Sequence, residues 1–517
     1  MTQSPLLLLL ACMHPYDPPA AEPQQEPAAL EAATMRARIE AGTLTAEGAT
    51  EASLERIAEL NPLVRAVIAT HPAARTIAGG LDAVQGDRGP LHGVPILLKD
   101  NVDATGMPTT AGSLALKDHV PADDAFLVAR IKEAGAVIVG KANLSEWANF
   151  RSTQSTSGWS GMGGQCRNPH VLDRTPCGSS SGSAVAVASG MVPLAIGTET
   201  DGSILCPSSI NGIVGVKPTV GLVSRDGVVP ISHSQDTAGP MARTVRDAAM
   251  LLEVIAVADD GDPAAAGRPE SLSTSYTAGL EGATLEGARI GVIPPGEDFD
   301  ARVAALFRAA VEALEAGGAT VVEVAPLDPE VASTASDQEW AVLVHEFKPD
   351  LEAYLATVSG IDTLQQLIGF NEAHAEQELR WFGQDIFELA AKHVPGDPDY
   401  PRSREASQRA MGAGFIDARL AAHDLEALVA ITSGTAWPID PVLGDRYTGG
   451  HSSLTAVSGY PAVTVPMGRV EGLPVGISFL GAAWTEARLL QLAHAYEQAT
   501  NHRVWPTFRP TVLPIGE

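Results

Sequence analysis

Cysteine, basic charge and long apolar runs are all scarce in this chain, and each scarcity removes a class of protein. The four cysteines among 517 residues (Cys12, Cys166, Cys177 and Cys206) show no C-x-x-C spacing, and no H-E-x-x-H occurs. A disulfide-dense scaffold and the common zinc signatures are thereby excluded. Lysine and arginine number 34 against 62 acidic residues, a formal net charge of −28. That charge argues against a nucleic-acid partner, because holding phosphates needs a basic face. The longest apolar run near the start, Leu6 to Met13, is eight residues. A helix crossing a bilayer needs about 20, so there is no transmembrane segment here. What is present is an ordinary globular balance, 45% apolar and 19% charged, on a chain long enough to bury a core without disulfides or metals.

The short apolar run ends Leu9-Leu10-Ala11-Cys12, which resembles the bacterial lipoprotein cleavage box, where the cysteine carries the lipid. Behind it, Pro15, Pro18, Pro19, Pro23 and Pro27 stand among Glu, Gln and Ala, a composition that reads as an extended tether. The basic residues expected before such a core are missing, since the chain opens Met1-Thr2-Gln3-Ser4-Pro5. Two readings stay open for residues 1–28. One is a signal or lipoprotein-like segment with a lipid anchor at Cys12, on an exported, periplasmic or membrane-anchored protein. The other is a frayed tail on a cytoplasmic one. Residues 29–517 read as a single domain.

Within that domain two helical patterns run from about Ala28 to a turn at Asn61-Pro62. Gly93 to Lys99 is short, apolar and bounded by breakers, which predicts a buried strand. Residues Ala122 to Ala134 predict an amphipathic helix, followed by a strand from Ala136 to Gly140. The Gly/Ser-rich stretch Arg151 to Gly182 has the composition of a linker. It flows directly into apolar segments (184–188, 192–196, 213–216), so it reads as loops inside a core. After a polar connection from Asp259 to Gly287, a βαβ pattern occupies 288–324 and a mostly helical region 331–423. Strands at 428–431 and 461–465 and a helix at 486–498 close the chain. No internal repeat is visible. The expected fold class is α/β, a mixed twisted sheet with helices on both faces.

Three places carry chemistry. Cys177-Gly178-Ser179-Ser180-Ser181-Gly182 sets three hydroxyls at the start of an apolar helix, where unpaired N–H groups favour negative charge. Gly197-Thr198-Glu199-Thr200-Asp201-Gly202-Ser203 follows a strand and can turn several backbone N–H groups to one side. Lys99 ends its apolar run, where loss of water lowers an ammonium's pKa. Bringing it from about 10.4 to near 7 costs roughly 4 kcal/mol. Taken singly, each has a plainer reading: strand-end lysines are usually solvated, and serines at a helix start usually cap it.

Their contexts together resemble one family. Gly93-Val94-Pro95-Ile96-Leu97-Leu98-Lys99-Asp100-Asn101, followed by Gly106 to Ser113, resembles the lysine motif of the amidase signature family. Gly178 to Ser183 resembles its first serine motif. Gly197 to Ser203, with Asn211-Gly212 and Val216 to Thr219 behind it, resembles the second. Ser179 and Ser203 lie 24 residues apart, the spacing expected of that family. Asp236 to Arg243 and Gly472 to Gly476 add further matches, and the resemblance covers roughly Leu30 to Pro510. It implies a cofactor-free, metal-free hydrolase with Ser203 as nucleophile. Ser179, on a cis peptide bond, would relay its proton to a neutral Lys99. Backbone N–H groups of Thr200, Asp201, Gly202 and Ser203 would hold the oxyanion, with Ser180 as a supporting hydroxyl.

The sequence departs from the usual family text at Glu199, where Asp is common, and at Asp201-Gly202, where two glycines are common. This Thr-Glu-Thr-Asp-Gly-Ser version resembles the branch of bacterial peptide amidases, as do Gly158-Trp159-Ser160-Gly161 and Glu346-Phe347-Lys348. The expected partner is therefore a peptide amide or another small amide. Three rivals are weighed against it. An α/β-hydrolase esterase would use Ser180, Asp440 and His451, but the polar, proline-broken stretch before Gly178 lacks the strand its elbow needs. The glutaminase component of a tRNA-dependent amidotransferase belongs to the same family and fits an acidic chain poorly. A catalytically dead binding protein has no support while Lys99, Ser179 and Ser203 are all present. Trp147, Trp159 and Trp340 either line an aromatic pocket or pack in the core, the commoner role.

Overall fold

A computed structural model describes residues 27–512, apart from 87, 273–274, 297–298 and 394–395. The expected signal or tether, with Cys12, lies outside the described residues. At their start, Ala28 is already buried. The strands in chain order are β1 (Val67–Thr70), β2 (Pro95–Lys99), β3 (Val137–Ala142), β4 (Trp159–Ser160), β5 (Gly164–Gln165), β6 (Leu194–Glu199) and β7 (Val214–Lys217). Then follow β8 (Thr237–Ala242), β9 (Arg289–Val292), β10 (Thr320–Glu323), β11 (Ala427–Ile431), β12 (Ala462–Val470) and β13 (Leu473–Leu480). Eleven of them form one sheet in the order β1-β3-β2-β6-β8-β7-β12-β13-β11-β9-β10, and β4 with β5 makes a separate hairpin. The sheet is mixed: β3, β2 and β6 run parallel, as do β11, β9 and β10, and the other neighbours are antiparallel.

Alternate residues of a strand point to opposite faces, and here both faces are covered. Ile96 and Leu98 of β2 join a core with Leu127 and Ile131 of helix Phe126–Glu133 and Leu251 of helix Val245–Ile255. Leu97, between them, joins a second core with Ile57 of helix Ala46–Val64 and Val185 of helix Ser181–Ala188. This two-sided burial is why β2, β3, β6 and β11 read as unbroken apolar runs. The expected architecture is the one observed.

Several local expectations shift. Asn61-Pro62 does not end its helix, which runs to Val64 with Arg65 in the left-handed region. A proline in the last turn removes a single backbone bond, and the Asn61 side chain stitches that turn to Val67 N and O at 2.8 and 2.9 Å. Strand β8 carries Gly239-Pro240, residues that argue against a central strand. The glycine is needed there because a Cβ would sit 2.1 Å from the Val216 carbonyl oxygen. The polar connection 259–287 is pinned by buried Tyr276, Leu280 and Leu285. The Gly/Ser-rich stretch 151–182 is ordered inside the fold, with buried Arg151 beside Glu146 and Glu378 and over the Phe382 ring at 4.2 Å.

Candidate active site

The carboxyl ends of β2 and β6 lie side by side, the edge of a parallel pair where α/β proteins place their ligands. Lys99 closes β2 and is fully buried. Its Nζ lies 2.7 Å from Ser179 Oγ, 2.7 Å from Thr198 Oγ1 and 3.2 Å from the Thr198 carbonyl oxygen. Among the described residues no carboxylate forms an ion pair with it. Burial pushes its ammonium down to about 7, although the charges of Asp236 and Glu199 pull the other way. Ser179 follows a cis Gly178–Ser179 peptide bond, and Gly178 is required, since a Cβ there would lie 2.1 Å from Ser145 Oγ.

Two serines behave differently from one another. Ser180 Oγ donates to the Thr198 carbonyl at 3.0 Å and accepts from Thr198 N at 3.2 Å, while its N–H donates to the Ser203 carbonyl at 3.2 Å. It is a buried stitch between the two serine motifs. Ser203 is 8% exposed, and its hydroxyl takes no protein hydrogen bond among the described residues. Lys99 and Ser179 are therefore in contact, whereas Ser203 reaches the site through its backbone and keeps its hydroxyl free of Ser179.

The turn between them is held from every side. Glu199 Oε2 accepts from Ile204 N at 2.7 Å and Leu205 N at 2.9 Å, pinning the start of helix Leu205–Ile210. Thr200 Oγ1 donates to Asp236 at 2.5 Å, and Ser453 Oγ donates to Asp201 at 2.6 Å. Gly202 has a φ of +76°, and a Cβ would meet Ser452 Oγ at 2.9 Å. None of the N–H groups of residues 200–203 donates to a protein acceptor among the described residues. A disulfide, Cys177–Cys206, ties the chain just before Ser179 to the helix just after Ser203. Excluding a disulfide-dense scaffold left this single pair unnoticed, because pairing depends on an approach the sequence does not display.

These elements wall a cleft of about 340 Å³ whose lining includes Gly178, Asp201, Gly202, Trp437 and Tyr447. Trp437 and Tyr447 are the aromatic residues that line it. Trp147 and Trp159 are instead buried against Phe387 and Phe382, and Trp340, 38% exposed, neighbours Phe150. The esterase alternative is disfavoured by geometry. Asp440 caps Val442 N and Leu443 N, His451 Nδ1 bonds the Ile431 carbonyl, and Ser180 is committed as described. Thr198 and Asn101, whose Nδ2 donates to Thr198 Oγ1 at 3.0 Å, are site residues that sequence reasoning missed. They reveal themselves only across a sequence gap of nearly a hundred residues.

A buried amine touching an alcohol at one strand edge, beside a turn whose N–H groups meet no protein acceptor among the described residues, is the arrangement the sequence motifs bring together. The chain belongs to the amidase signature family: the amidase family model matches residues 48–490. A probable amidase of Arabidopsis thaliana is 39% identical over 90% of this chain and 89% of its own length. The A component of the glutamyl-tRNA(Gln) amidotransferase of Symbiobacterium thermophilum is 39% identical over 92% of this chain and 97% of its own. The crystal structure of native peptide amidase from Stenotrophomonas maltophilia superposes with a TM-score of 0.88 at 50% identity, covering 92% of this chain and 98% of that one. The protein is an amidase, a hydrolase of C–N bonds.

Proposed function

We propose that this amidase removes the C-terminal carboxamide of peptides, releasing ammonia, through an acyl-enzyme on Ser203. The observation that carries the mechanism is Lys99, buried with no ion pair among the described residues and touching Ser179. A neutral amine has two N–H groups and one lone pair. Thr198 offers two oxygens for the former, which leaves the lone pair for the Ser179 hydroxyl. As Ser203 attacks the carbonyl its proton passes to Ser179, whose own proton moves to the Lys99 lone pair. The relay then runs back to protonate the leaving nitrogen, which departs as ammonia. Water attacks the acyl-enzyme by the same route to free the acid and restore Ser203. The N–H groups of Thr200, Asp201, Gly202 and Ser203 hold the oxyanion, and each such donor is typically worth about 10²–10³ in rate. Ser180 supports this arrangement without reacting.

The choice of a peptide amide is supported by the Thr-Glu-Thr-Asp-Gly-Ser text and by the likeness to peptide amidase crystal structures, one of them bound to the competitive inhibitor chymostatin at 51% identity. Ammonia release from amidated dipeptides, free amino-acid amides, fatty amides and aryl amides tests it. Amidated dipeptides are expected to be turned over fastest, with little cleavage of internal peptide bonds; rapid endopeptidase action would overturn the assignment. The relatedness to the A components of tRNA-dependent amidotransferases supports glutaminase action as the second reading, which copurification with tRNA and a large partner protein would favour. We further propose export, supported by the apolar run ending at Cys12 and by the Cys177–Cys206 disulfide, a bond that persists in oxidising compartments. Intact mass of the membrane-associated protein tests lipidation at Cys12.

A further inference from the structure

The turn that offers the oxyanion its N–H groups contains a carboxylate, Asp201, where the family commonly has glycine. The Asp201 carboxyl receives the Ser453 hydroxyl on Oδ2. Its Oδ1 is hidden from solvent and meets no N–H or hydroxyl donor in that position. What does face Asp201 is a second carboxyl, Glu339, in the long helix Pro329–Leu355 and only 7% exposed. Glu339 is tied to the same turn by another route. Gln235 Nε2 donates to Glu339 Oε1 at 2.8 Å and to the Thr200 carbonyl at 3.2 Å.

Two withdrawn carboxyl groups facing each other cannot both be ionised without strong repulsion, so they share one proton. The neighbours decide where it resides. Burial raises the Asp201 carboxyl as well, but the Ser453 hydroxyl bonded to it and the nearby Lys217 ammonium favour its anion. Glu339 has only the neutral Gln235 amide, and burial followed by the Asp201 charge pushes its carboxyl up to about 8. We infer that Glu339 is a positioning residue of this amidase, a protonated acid whose O–H to Asp201 holds the Thr200–Ser203 turn in the shape that binds the oxyanion. Loss of that proton sets two anions against each other and opens the turn. Other charges facing the pair are Glu199 on β6, Lys217 on β7, the Tyr447 phenol across the cleft, and Asp236 behind Thr200. Among the described residues Lys217 bonds only the Tyr460 and Pro218 carbonyls, and it is pushed down to about 8 by burial, so it is the competing source of any alkaline effect.

The inference rests on the amide-hydrolase reading of Ser203, and its test separates the two. Ammonia release from an amidated dipeptide is measured from pH 6 to 10 for the wild type, Glu339→Gln and Glu339→Ala. The wild-type kcat/KM is expected to fall about tenfold per pH unit once the shared proton is lost. Glu339→Gln keeps a donor toward Asp201 that cannot ionise, so its alkaline limb flattens. At pH 7.5 it exceeds Glu339→Ala by about tenfold or more, mainly in kcat rather than KM. An unchanged alkaline limb in Glu339→Gln overturns the inference and assigns the limb to Lys217. A wild type inactive on every amide sinks the functional reading instead. The proton is then read directly, as a carboxylic-acid infrared band at pH 7 that vanishes by pH 10 and in Glu339→Gln; its absence from the wild type also overturns the inference.

Discussion

Lys99 and Lys141 stand on the neighbouring parallel strands β2 and β3, each withdrawn from solvent. A register shift in that pair aligns Lys141 with Leu98 and Lys99 with Ala142, so the two lysines leave the sheet on opposite faces. Lys141 Nζ meets the Asp100 carboxylate at 3.3 Å, the Val102 carbonyl at 2.7 Å and Thr109 Oγ1 at 3.0 Å. Lys99 meets two hydroxyls and a carbonyl, with its nearest influential carboxylates, Asp236 and Glu199, acting at a distance. Burial lowers the pKa of both, but Asp100 beside Lys141 opposes it directly. A carboxylate beside a buried lysine favours its cation; a buried lysine with no ion pair among the described residues gives up its proton more readily.

The comparison breaks most sharply by removing each amine in turn. Lys99→Ala is expected to lower kcat/KM by about 10³-fold with circular dichroism unchanged. Lys141→Ala leaves Asp100 buried and unpaired, costing about 3–5 kcal/mol of stability in denaturant titration, while the folded fraction stays active. A reversal of these two outcomes would dismiss the distinction. Giving Lys99 a counter-ion sharpens it further. With Lys99 pushed down to about 7 by burial, the wild-type rate is expected to rise with pH through that value as the amine loses its proton. Asn101→Asp places a carboxylate beside Thr198, which favours the ammonium and moves that limb up by about 1–2 pH units. An unmoved limb would show that another group controls it.

Smaller effects probe the supports rather than the base. Replacing Cys177 and Cys206 by serine is expected to cost about 2–4 kcal/mol and to depress turnover, since the link closes around both serine motifs. Thiol reduction of the wild type, followed by ammonia release, gives the same answer without mutation. Ser180→Ala removes the stitch to Thr198 and costs about 1–3 kcal/mol. Its rate falls far less than that of Ser203→Ala; equal losses would restore Ser180 as the nucleophile.

Much of the fold was legible because its strands are covered on both faces. Ile96-Leu97-Leu98 and Leu428 to Ile431 announce themselves as apolar runs, and the helix at 301–316 is found where its periodicity puts it. Strands β8 and β13 were not legible, since Gly239-Pro240 and the Pro474 and Gly476 of β13 are residues that argue against a strand. The reason for each glycine is a close neighbour, the Val216 backbone at Gly239 and the Thr464 and Ser209 side chains at Gly476. At the candidate site, motif text singled out Lys99, Ser179 and Ser203, of which the structure brings the side chains of Lys99 and Ser179 into contact. Glu339 was not, because nothing within its own helix distinguishes it from a solvated glutamate.

By itself the amino-acid order determined the alternation of apolar and breaker segments and the identity of the three groups proposed to react, since local patterning and side-chain chemistry are properties of short stretches. Tertiary structure alone decided which lysine lost its counter-ion, which serine became a stitch, and which distant carboxyl came to face Asp201. Those outcomes depend on desolvation and on contacts between residues far apart in the chain, and both arise only when the sheet brings its strand ends together.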